Sequence, residues 1–431
     1  MVIIGMIACM LAEILHDDHE MVTIQVTIRK SSAFLECEEN IQDAVNEVGG
    51  LATEQCLKDF DSDGSPIEIA GRKLTAKKEK VTKKYETPYG IVSVPRYVFQ
   101  DSTGGSTHSP LDHSARIIGT STPRFAKIVS SKYAVQNSSK AQKDLLESHH
   151  LNISRCLIQD VSCLVANIAR KKENIWDYTS TEPLAHEVAS IGIGIDGTCL
   201  LFCEGGNRQA MVGTIAFYDA AGERLHTIYI SAAPEHGKAA FLDRMRIEIN
   251  RVKEHYPKAL YVGISDGALD YWPWLEKFTT TQVLDFWHVT EYLADAAPAV
   301  RRLKVERTEW RENACHRLKH EPGAARAILQ EFLEINKETV TKRIRGDLEK
   351  AISYFQNNLG RMNYASYKKR HIPIGSGVTE AACKVIVKER MCGSGMKWKE
   401  SGSDTVLCLS ALKHTEGRWE ELWKHISKFG V

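Results

Sequence analysis

Three acidic residues stand where their carboxylates could act together. Asp196 closes a segment at 190–196 (SIGIGID), whose β-branched isoleucines alternate with glycines, as is typical of a strand buried on both faces. Asp266 follows the apolar segment 259–265 (ALYVGIS), and Glu380 lies in the first turn of a helix predicted over 378–390. Crowded carboxylates repel one another, and divalent cations relieve that repulsion. Because hard oxygen ligands favour Mg²⁺ or Mn²⁺, the three residues predict a metal site.

Such a site suits phosphodiester chemistry. Two ions about 4 Å apart can activate a water or a 3′-hydroxyl and stabilise the leaving oxygen. This chemistry needs no side-chain nucleophile, and neither a G-x-S-x-G elbow nor a Walker A loop occurs between a predicted strand and helix. The residue types are therefore compatible with two-metal chemistry at a phosphodiester.

The elements that would position these acids come as a meander of three strands, followed by two strands that each return through a helix. The strands are predicted at 190–196, 211–218, 224–231, 259–264 and 282–284, and the two helices at 238–255 and 269–278. This is the order of an RNase H-like mixed sheet with helices on both faces, within the α/β class. Since its first and fourth strands are neighbours, Asp196 and Asp266 are expected to lie side by side.

A fourth acid competes with Asp266 for the second ligand position. Asp285 ends the fifth predicted strand and stands three residues before His288, at the start of a helix. We assign the ligand to Asp266 because it ends the fourth strand, and Asp285 remains the alternative. Asp285 would then orient His288 or a DNA strand. The imidazole could contact the scissile phosphate, steer a proton, or simply be satisfied at the helix start.

The rest of the chain is organised around this core. Residues 140–148 and 154–169 predict two helices joined by a short turn, which is typical of a helix-turn-helix motif but also of any packed helix pair. The apolar residues 1–15 predict a buried helix rather than a signal peptide. The expected regions are an N-terminal α+β region (1–121) with a hairpin at 85–100, a DNA-binding helical region (122–172), the first part of the catalytic core (185–290), an all-α insertion (291–371) and the last part of the core (372–431).

Composition sets limits on the partners. The 431 residues are 43% hydrophobic and 26% charged, with a net charge of only +1, so an affinity for nucleic acid must come from local clusters. The 11 cysteines include no C-x-x-C pair and no zinc spacing, which favours a reducing cytoplasm. No downstream segment is predicted to span a membrane.

Basic clusters and tryptophans are the candidates for DNA contacts. Residues expected at the DNA are Arg301, Arg302, Lys304, Lys384, Lys388, Arg390 and Trp398. Each basic cluster could equally be a solvated helix face. Trp272, Trp274 and Trp287 could stack on unpaired bases or pack in the core.

Five segments resemble those of DDE insertion-sequence transposases of the ISKra family. They are GIDGT, ISDGA, DFWHVTEYL, PIGSGVTEAACK and GMKWKESGSDTVLCLSALK, within a resemblance that covers roughly residues 85–430. The motifs around Glu380 and Trp398 are the most specific. Asp285 with His288 resembles the C/D-x-x-H signature of Mutator-type and hAT-type transposases, and the following helical segment resembles their all-α insertion. Residues 1–84 lie outside the resemblance, and their role stays open.

The resemblance implies a function. Asp196, Asp266 and Glu380 would be the catalytic triad, holding Mg²⁺ or Mn²⁺. The reaction would be DNA cleavage and strand transfer at the terminal inverted repeats of an insertion sequence and into target DNA. A homodimer acting on DNA in the prokaryotic cytoplasm, at the nucleoid, is expected.

Other functions fit some of the same residues. Gly192, Gly194 and Gly197 partly match a dinucleotide fingerprint, but they lie inside the strand rather than after it. An actin-like ATP-dependent kinase also has a phosphate loop after its first strand, and nucleotide binding without DNA would distinguish it. A transposase-derived DNA-binding protein without catalysis is the non-enzymatic alternative.

Overall fold

The computed structural model describes residues 12–18, 20–177, 188–234, 237–268 and 270–430. The chain forms two compact units, one of Met1–Trp176 with Glu420–Val431 and the other of Asp177–Trp419. Every helix in the described ranges is too short or too polar to cross a membrane. The second unit carries all of the candidate catalytic residues.

The first unit combines small antiparallel sheets with helices. Its elements are β1 (Ala12–Asp17), β2 (Val22–Val26), α1 (Phe34–Lys58), β3 (Ile67–Ile69), β4 (Arg72–Ala76), β5 (Val81–Thr87), β6 (Gly90–Arg96), β7 (Phe99–Asp101), α2 (Pro110–Ser114), α3 (Pro123–Val135), α4 (Ser138–His149) and α5 (Arg155–Lys172). The strands pair as β1 with β2, as β3-β4-β7 and as β5 with β6. All of these pairs are antiparallel.

Two predictions for this unit are changed by strand pairing. The predicted helix at 1–15 is wrong where the structure describes it, because Ala12 to Leu15 lie in β1, where Ala12 pairs with Val26 of β2. Residues 1–11 lie outside the described ranges. The hairpin predicted at 85–100 is present, but β5 already begins at Val81 and β6 ends at Arg96, whereas Phe99 and Gln100 belong to β7, which pairs with β4.

The predicted helix pair is confirmed as a pair of helices. The chain leaves α4 at His150, whose φ of 53° gives the left-handed conformation that ends many helices. The side chain of Ser154 then caps α5 by accepting a hydrogen bond from the amide of Leu157 at 3.1 Å. The two helices are therefore joined by a short, well-capped turn.

The second unit is α/β, as expected, with one sheet that is mixed. Its elements are β8 (Ser190–Leu201), β9 (Asn207–Tyr218), β10 (Arg224–Ala232), α6 (Gly237–His255), β11 (Leu260–Ser265), α7 (Trp272–Leu275), β12 (Thr281–Leu284), α8 (Phe286–Val300), α9 (Lys304–His320), α10 (Ala324–Glu334), α11 (Lys342–Asn358), α12 (Tyr364–Lys369), α13 (Gly377–Ala382), a π-helical turn (Cys383–Lys388), α14 (Glu389–Met391) and α15 (Glu400–His414). A last helix, α16 (Arg418–Phe429), begins in this unit.

The strands of this sheet lie in the order β10-β9-β8-β11-β12 among the described residues. Strand β9 is antiparallel to both β10 and β8, so the first three strands form the predicted meander. Strand β11 is parallel to both β8 and β12. The predicted adjacency of the first and fourth strands is therefore confirmed.

Helices cover both faces of the sheet. Side chains alternate between the faces of a strand, so Gly213 and Thr214 face opposite sides. A Cβ on Gly213 would lie 2.3 Å from Met245 Sδ of α6, whereas Thr214 Oγ1 lies 2.7 Å from Thr379 Oγ1 of α13. Helix α6 therefore packs on one face and α13 on the other.

Asp196 lies inside strand β8 rather than at its end, which corrects the sequence prediction. Strand β9 pairs with β8 along its whole length, as far as Leu201, and so keeps the chain extended past Asp196. The parallel pairing with β11 stops at Gly194. At the position of Asp196, strand β8 is therefore paired with β9 but no longer with β11.

The segment between β12 and Glu380 is helical, as predicted. Helices α8 to α11 bury a continuous set of apolar side chains, among them Leu293, Trp310, Phe332 and Phe355. The aromatic rings of Phe332 and Phe355 meet edge to face at 5.5 Å. The short helix predicted at 269–278 is limited to Trp272–Leu275, and Leu269 lies outside the described residues.

Candidate active site

Glycines in β8 allow the helix of Glu380 to approach the sheet closely. Gly194 and Asp196 share one face of β8 because side chains alternate along a strand. A Cβ on Gly194 would lie 2.0 Å from Oγ1 of Thr379, so only glycine leaves room for α13 at this point. Thr379 is buried and immediately precedes Glu380 in the chain. The glycine therefore brings the Asp196 face of the sheet next to the Glu380 helix.

Asp196 faces the turn that follows α13. Its Oδ2 accepts a hydrogen bond from Sγ of Cys383 at 3.5 Å, and its Oδ1 lies 2.6 Å from the amide of Gly197. Burial, together with the charge of Asp196, raises the pKa of the Cys383 thiol, so the thiol keeps its proton and acts as the donor. This contact was not predicted from the sequence.

Asp266 directly follows β11, as predicted. Gly194 of β8 pairs with Ile264 of β11. Asp196 comes two residues after Gly194, and Asp266 comes two residues after Ile264. Oδ1 of Asp266 accepts hydrogen bonds from the amide of Ala268 at 3.0 Å and from Oγ of Ser265 at 3.2 Å. These local bonds turn the chain sharply after the strand and hold the carboxylate there.

Tyr271 has a raised pKa. Burial raises the pKa of Tyr271 to about 12, and the negative charges of Asp266 and Asp196 both add to that rise.

Glu380 is exposed and lines the same cleft as Asp196. Cys383, Lys384 and Lys388 also line this cleft. Oε1 of Glu380 accepts a hydrogen bond from Oγ of Ser376 at 2.7 Å. Because α13 passes into a π-helical turn at Cys383, the side chains that follow Glu380 are rotated relative to a regular α-helix. Such turns are frequent at functional sites, and the sequence pattern of a single helix over 378–390 did not indicate one.

Asp285 is fully buried and satisfied by hydrogen bonds. Oδ2 lies 2.6 Å from Nδ1 of His288 and 3.1 Å from its amide, and Oδ1 accepts from the amide of Ser376 at 2.8 Å. Burial alone would raise the pKa of Asp285, but the bonds from His288 and Ser376 outweigh it and lower the pKa. Asp285 therefore stays ionised and joins the start of α8 to the loop before α13.

The same contact determines the charge of His288. The hydrogen bond to Asp285 raises the pKa of His288 to about 9, against an opposing effect of burial. At neutral pH the imidazole is therefore protonated, donates through Nδ1 to Asp285, and has Nε2–H left as a second donor. His288 is a positively charged donor beside the acids.

Asp285, His288 and Glu380 bring one potential ligand atom each within 4.8 Å of one another. Asp196 and Asp266 are not part of that group in the described residues. The 2.6 Å contact between Nδ1 of His288 and Oδ2 of Asp285 is a hydrogen-bond distance. The three residues therefore form a hydrogen-bonded cluster whose potential ligand atoms also lie close enough together to share one ion.

The oxygens of Asp196 and Asp266 fit a hard divalent cation. Both carboxylates are half-buried, and oxygen donors are the ligands that Mg²⁺ prefers. Glu380 lies in the same cleft as Asp196. Among the described residues, however, the potential ligand atoms within 4.8 Å of one another group Glu380 with Asp285 and His288, and not with the two aspartates.

The predicted DNA contacts divide into exposed and buried side chains. Arg301, Arg302, Lys304, Lys384 and Lys388 are exposed, as a contact with DNA requires. Arg390 contradicts the prediction because it is 4% exposed, with its guanidinium 5.6 Å from the ring centre of Trp398.

Trp398 has a structural position. Its Nε1 donates to the carbonyl of Met391 at 2.8 Å. Its amide donates to the carbonyl of Leu201, the last residue of β8, and its carbonyl accepts from the amide of Cys203. It is half-buried, so it fixes the segment after the π-helical turn. A DNA contact through this ring remains a prediction.

The three other tryptophans named from the sequence differ in exposure. Trp272 is 2% exposed and belongs to the core, and Trp274 packs on Phe278 with 4.7 Å between ring centres. Trp287 is 60% exposed, at the start of α8 beside His288. The signal for an exposed Trp287 in the sequence was its position within the D-x-x-H motif, immediately before His288.

Comparison with known proteins gives no identification. No protein-family model matches the chain, and no curated protein matches it.

Proposed function

We propose that the chain is a DDE transposase of the ISKra type, with an RNase H-like core, that cleaves and transfers DNA strands at the ends of an insertion sequence. The observation that carries the proposal is the parallel register of β8 and β11, in which Gly194 pairs with Ile264, two residues before Asp196 and Asp266 respectively. The strand order β10-β9-β8-β11-β12 and the helical segment before Glu380 support it. The five sequence segments that resemble this family support it as well.

Asp196, Asp266 and Glu380 are proposed to hold Mg²⁺ or Mn²⁺. When bound, such ions activate a water or a 3′-hydroxyl and stabilise the leaving oxygen of the phosphodiester. Asp196 lies in β8 and Asp266 directly follows the neighbouring strand β11. Glu380 comes from a separate helix, which packs closely against the sheet where Thr379 meets Gly194. The two aspartates are thus positioned by strand pairing and the glutamate by close packing.

Asp285 and His288 act beside the metal ligands in this proposal. Asp285 fixes the orientation and the charge of His288, and the free Nε2–H of His288 donates to a phosphate oxygen near the scissile bond. A charged donor of this kind is stronger than a neutral one. The Asp285 contact with the Ser376 amide also links His288 to the loop that leads to Glu380.

The proposed partners are the terminal inverted repeats of the element and the target DNA. The exposed Lys384 and Lys388 line the cleft of Asp196 and Glu380, where they could hold the DNA backbone. A homodimer that acts on DNA in the prokaryotic cytoplasm belongs to the same proposal.

The test is Mg²⁺-dependent cleavage of DNA that carries the element's ends. Asp196→Asn should bring cleavage below detection while DNA binding in a mobility-shift assay is retained, because one charge is lost from the metal site and the fold is kept. Asp243→Asn is the matched control, since this aspartate is 59% exposed on α6 and pairs with Arg246. Wild-type cleavage by Asp196→Asn would refute the assignment.

A further inference from the structure

An exposed aromatic and basic groove lies between α8 and α9, outside the proposed metal site. Its lining includes Trp287 of α8 and Arg311, His316, Lys319 and His320 of α9. Trp287 is 60% exposed, which is unusual for the largest apolar side chain. The mechanism proposed above gives no role to any of these five residues.

The positive charge of the groove lies next to the indole. Nζ of Lys319 is 5.6 Å from the ring centre of Trp287 and 4.5 Å from that of Phe286. In the described part of the chain, neither Arg311 nor Lys319 is paired with a carboxylate. Glu312 is the acidic residue of the lining. The groove thus offers two unpaired cations and an aromatic face.

More basic groups continue from one end of the groove. The ring centres of His316 and His320 lie 4.6 Å apart. Loss of solvation, together with the positive charges of Lys368, His316 and Lys319, lowers the pKa of His320. Within the part of the lining that the structure describes, the cations Arg311 and Lys319 outnumber the one acid, Glu312, which favours a polyanion over an apolar peptide.

The groove adjoins the candidate active site. A Cβ on Gly375 would lie 3.2 Å from Cδ1 of Trp287 and 3.3 Å from Oδ1 of Asp285. The indole and the buried carboxylate therefore flank the same loop, next to Ser376, which hydrogen-bonds to both Asp285 and Glu380. Trp287 also immediately precedes His288 in the chain.

We propose that this groove binds one unpaired nucleotide of a DNA strand, with the base stacked on Trp287 and the backbone phosphates held by Lys319 and Arg311. Stacking on an aromatic side chain needs no particular base because every base has a π-face. Cations beside the ring neutralise the phosphates that accompany the base. The inference rests on the proposed function, since it supplies a place for the strand next to the cleaved phosphodiester.

The first experiment measures binding of a fluorescein-labelled oligo-dT 15-mer to the full chain without divalent metal. Trp287→Ala should weaken binding by about 5- to 150-fold, the range typical of one stacked base, and Trp287→Phe should restore most of it. Leu303→Ala is the control, because Leu303 is a 64% exposed apolar residue just before α9. Equal affinities of wild type and Trp287→Ala overturn the inference.

The cations are tested in the same assay. Lys319→Gln should weaken binding and lower the dependence of log K on log salt by about 0.7 for the lost phosphate contact to a single strand. Lys350→Gln is the control, since Lys350 is 74% exposed on α11. A salt dependence equal in Lys319→Gln and wild type overturns the phosphate contact.

A cross-link reports the position of the base without relying on a variant. An oligo-dT 15-mer with one 5-iododeoxyuridine is irradiated with the wild-type chain, and the cross-linked peptide is mapped by mass spectrometry. Attachment at Trp287 supports the inference, and attachment only outside the α8–α9 groove overturns it. Because these assays need neither metal nor cleavage, Trp287-dependent binding by a chain that never cleaves DNA would refute the proposed function and leave the nucleotide site standing.

Discussion

Nδ1 of His288 lies 2.6 Å from Oδ2 of Asp285, and that carboxylate is 0% exposed. The carboxylate also accepts hydrogen bonds from the backbone amides of His288 and Ser376, so each of its two oxygens is bonded to a protein donor. Asp266, in contrast, is only half-buried. We therefore interpret Asp285 as the residue that orients an imidazolium, and the second ligand position stays a prediction for Asp266.

The first prediction concerns pH and stability. The contact with Asp285 raises the pKa of His288 from 6.5 to about 9 in the folded state. The folded chain then holds a proton that the unfolded chain releases, so the stabilisation is complete below about pH 6.5 and is lost as pH rises to and beyond about 9. Urea unfolding of the wild type should show this loss, and His288→Gln should reduce it. Parallel pH profiles for both proteins would contradict the prediction.

The second prediction concerns the close approach of α13. Gly194→Ala should destabilise the fold by about 1–3 kcal/mol, because its Cβ would overlap Thr379 Oγ1, which is held in a buried hydrogen bond to Thr214. DNA cleavage should fall as well, since Glu380 follows Thr379. Chemical unfolding and cleavage assays provide the measurements.

Gly346→Ala is the matched control for Gly194. A Cβ at Gly346 meets no atom within 4 Å, and this residue lies inside α11. Alanine should therefore stabilise by up to about 1 kcal/mol through helix propensity. If Gly194→Ala were as stable and active as Gly346→Ala, the account of how α13 is positioned would be wrong.

Strand pattern and turn chemistry made much of the sheet predictable from the sequence. Isoleucines and glycines in β8, and the apolar run before Asp266, indicated two buried strands, and helices between the later strands indicated a parallel return. The helix start at Asp285 was also readable, because aspartate is a favoured N-cap. Local residue preferences and long-range pairing agree at these positions.

The positions that could not be predicted depend on distant partners. The length of β8 beyond Asp196 comes from pairing with β9, and the burial of Arg390 comes from packing near Trp398. A basic residue at helical spacing after Glu380 looks the same in sequence whether it faces solvent or the core. The hydrogen bond from Cys383 to Asp196 joins residues 187 positions apart, which no local pattern shows.

The third prediction concerns the helix pair α4 and α5. Arg155 at the start of α5 and Lys143 on α4 are exposed, so their side chains are free to reach DNA phosphates. Arg155→Gln and Lys143→Gln should each weaken binding to the element's ends and lower the salt slope by about 0.9 per contact with duplex DNA. Binding is measured by fluorescence anisotropy over a salt series, with Lys350→Gln as the control. Wild-type slopes for both variants would remove these helices from the DNA surface.

The fourth prediction separates the two aspartates that could serve as the second ligand. Asp266→Ala should have no measurable cleavage at any Mg²⁺ concentration, because an oxygen ligand is lost from the proposed site. Asp285→Ala should retain weak cleavage, since loss of a residue that orients a functional group typically costs about 10- to 100-fold. His288→Ala should be slowed to a similar degree with little change in the Mg²⁺ dependence, because imidazole is not a preferred ligand of this ion.

The measurement for this fourth prediction is cleavage of pre-formed end complexes by the three variants across a Mg²⁺ titration. Asp285→Ala removes the acceptor of both His288 and the Ser376 amide, so its stability must be determined alongside, and Asp285→Asn provides an isosteric variant. In Asp285→Asn the pKa of His288 should fall, because the carboxylate charge that raises it is gone. Cleavage by this variant should therefore decline at a lower pH than cleavage by the wild type. If Asp285→Asn is inactive at every Mg²⁺ concentration while Asp266→Ala cleaves, Asp285 is the ligand and the roles of the two residues are exchanged.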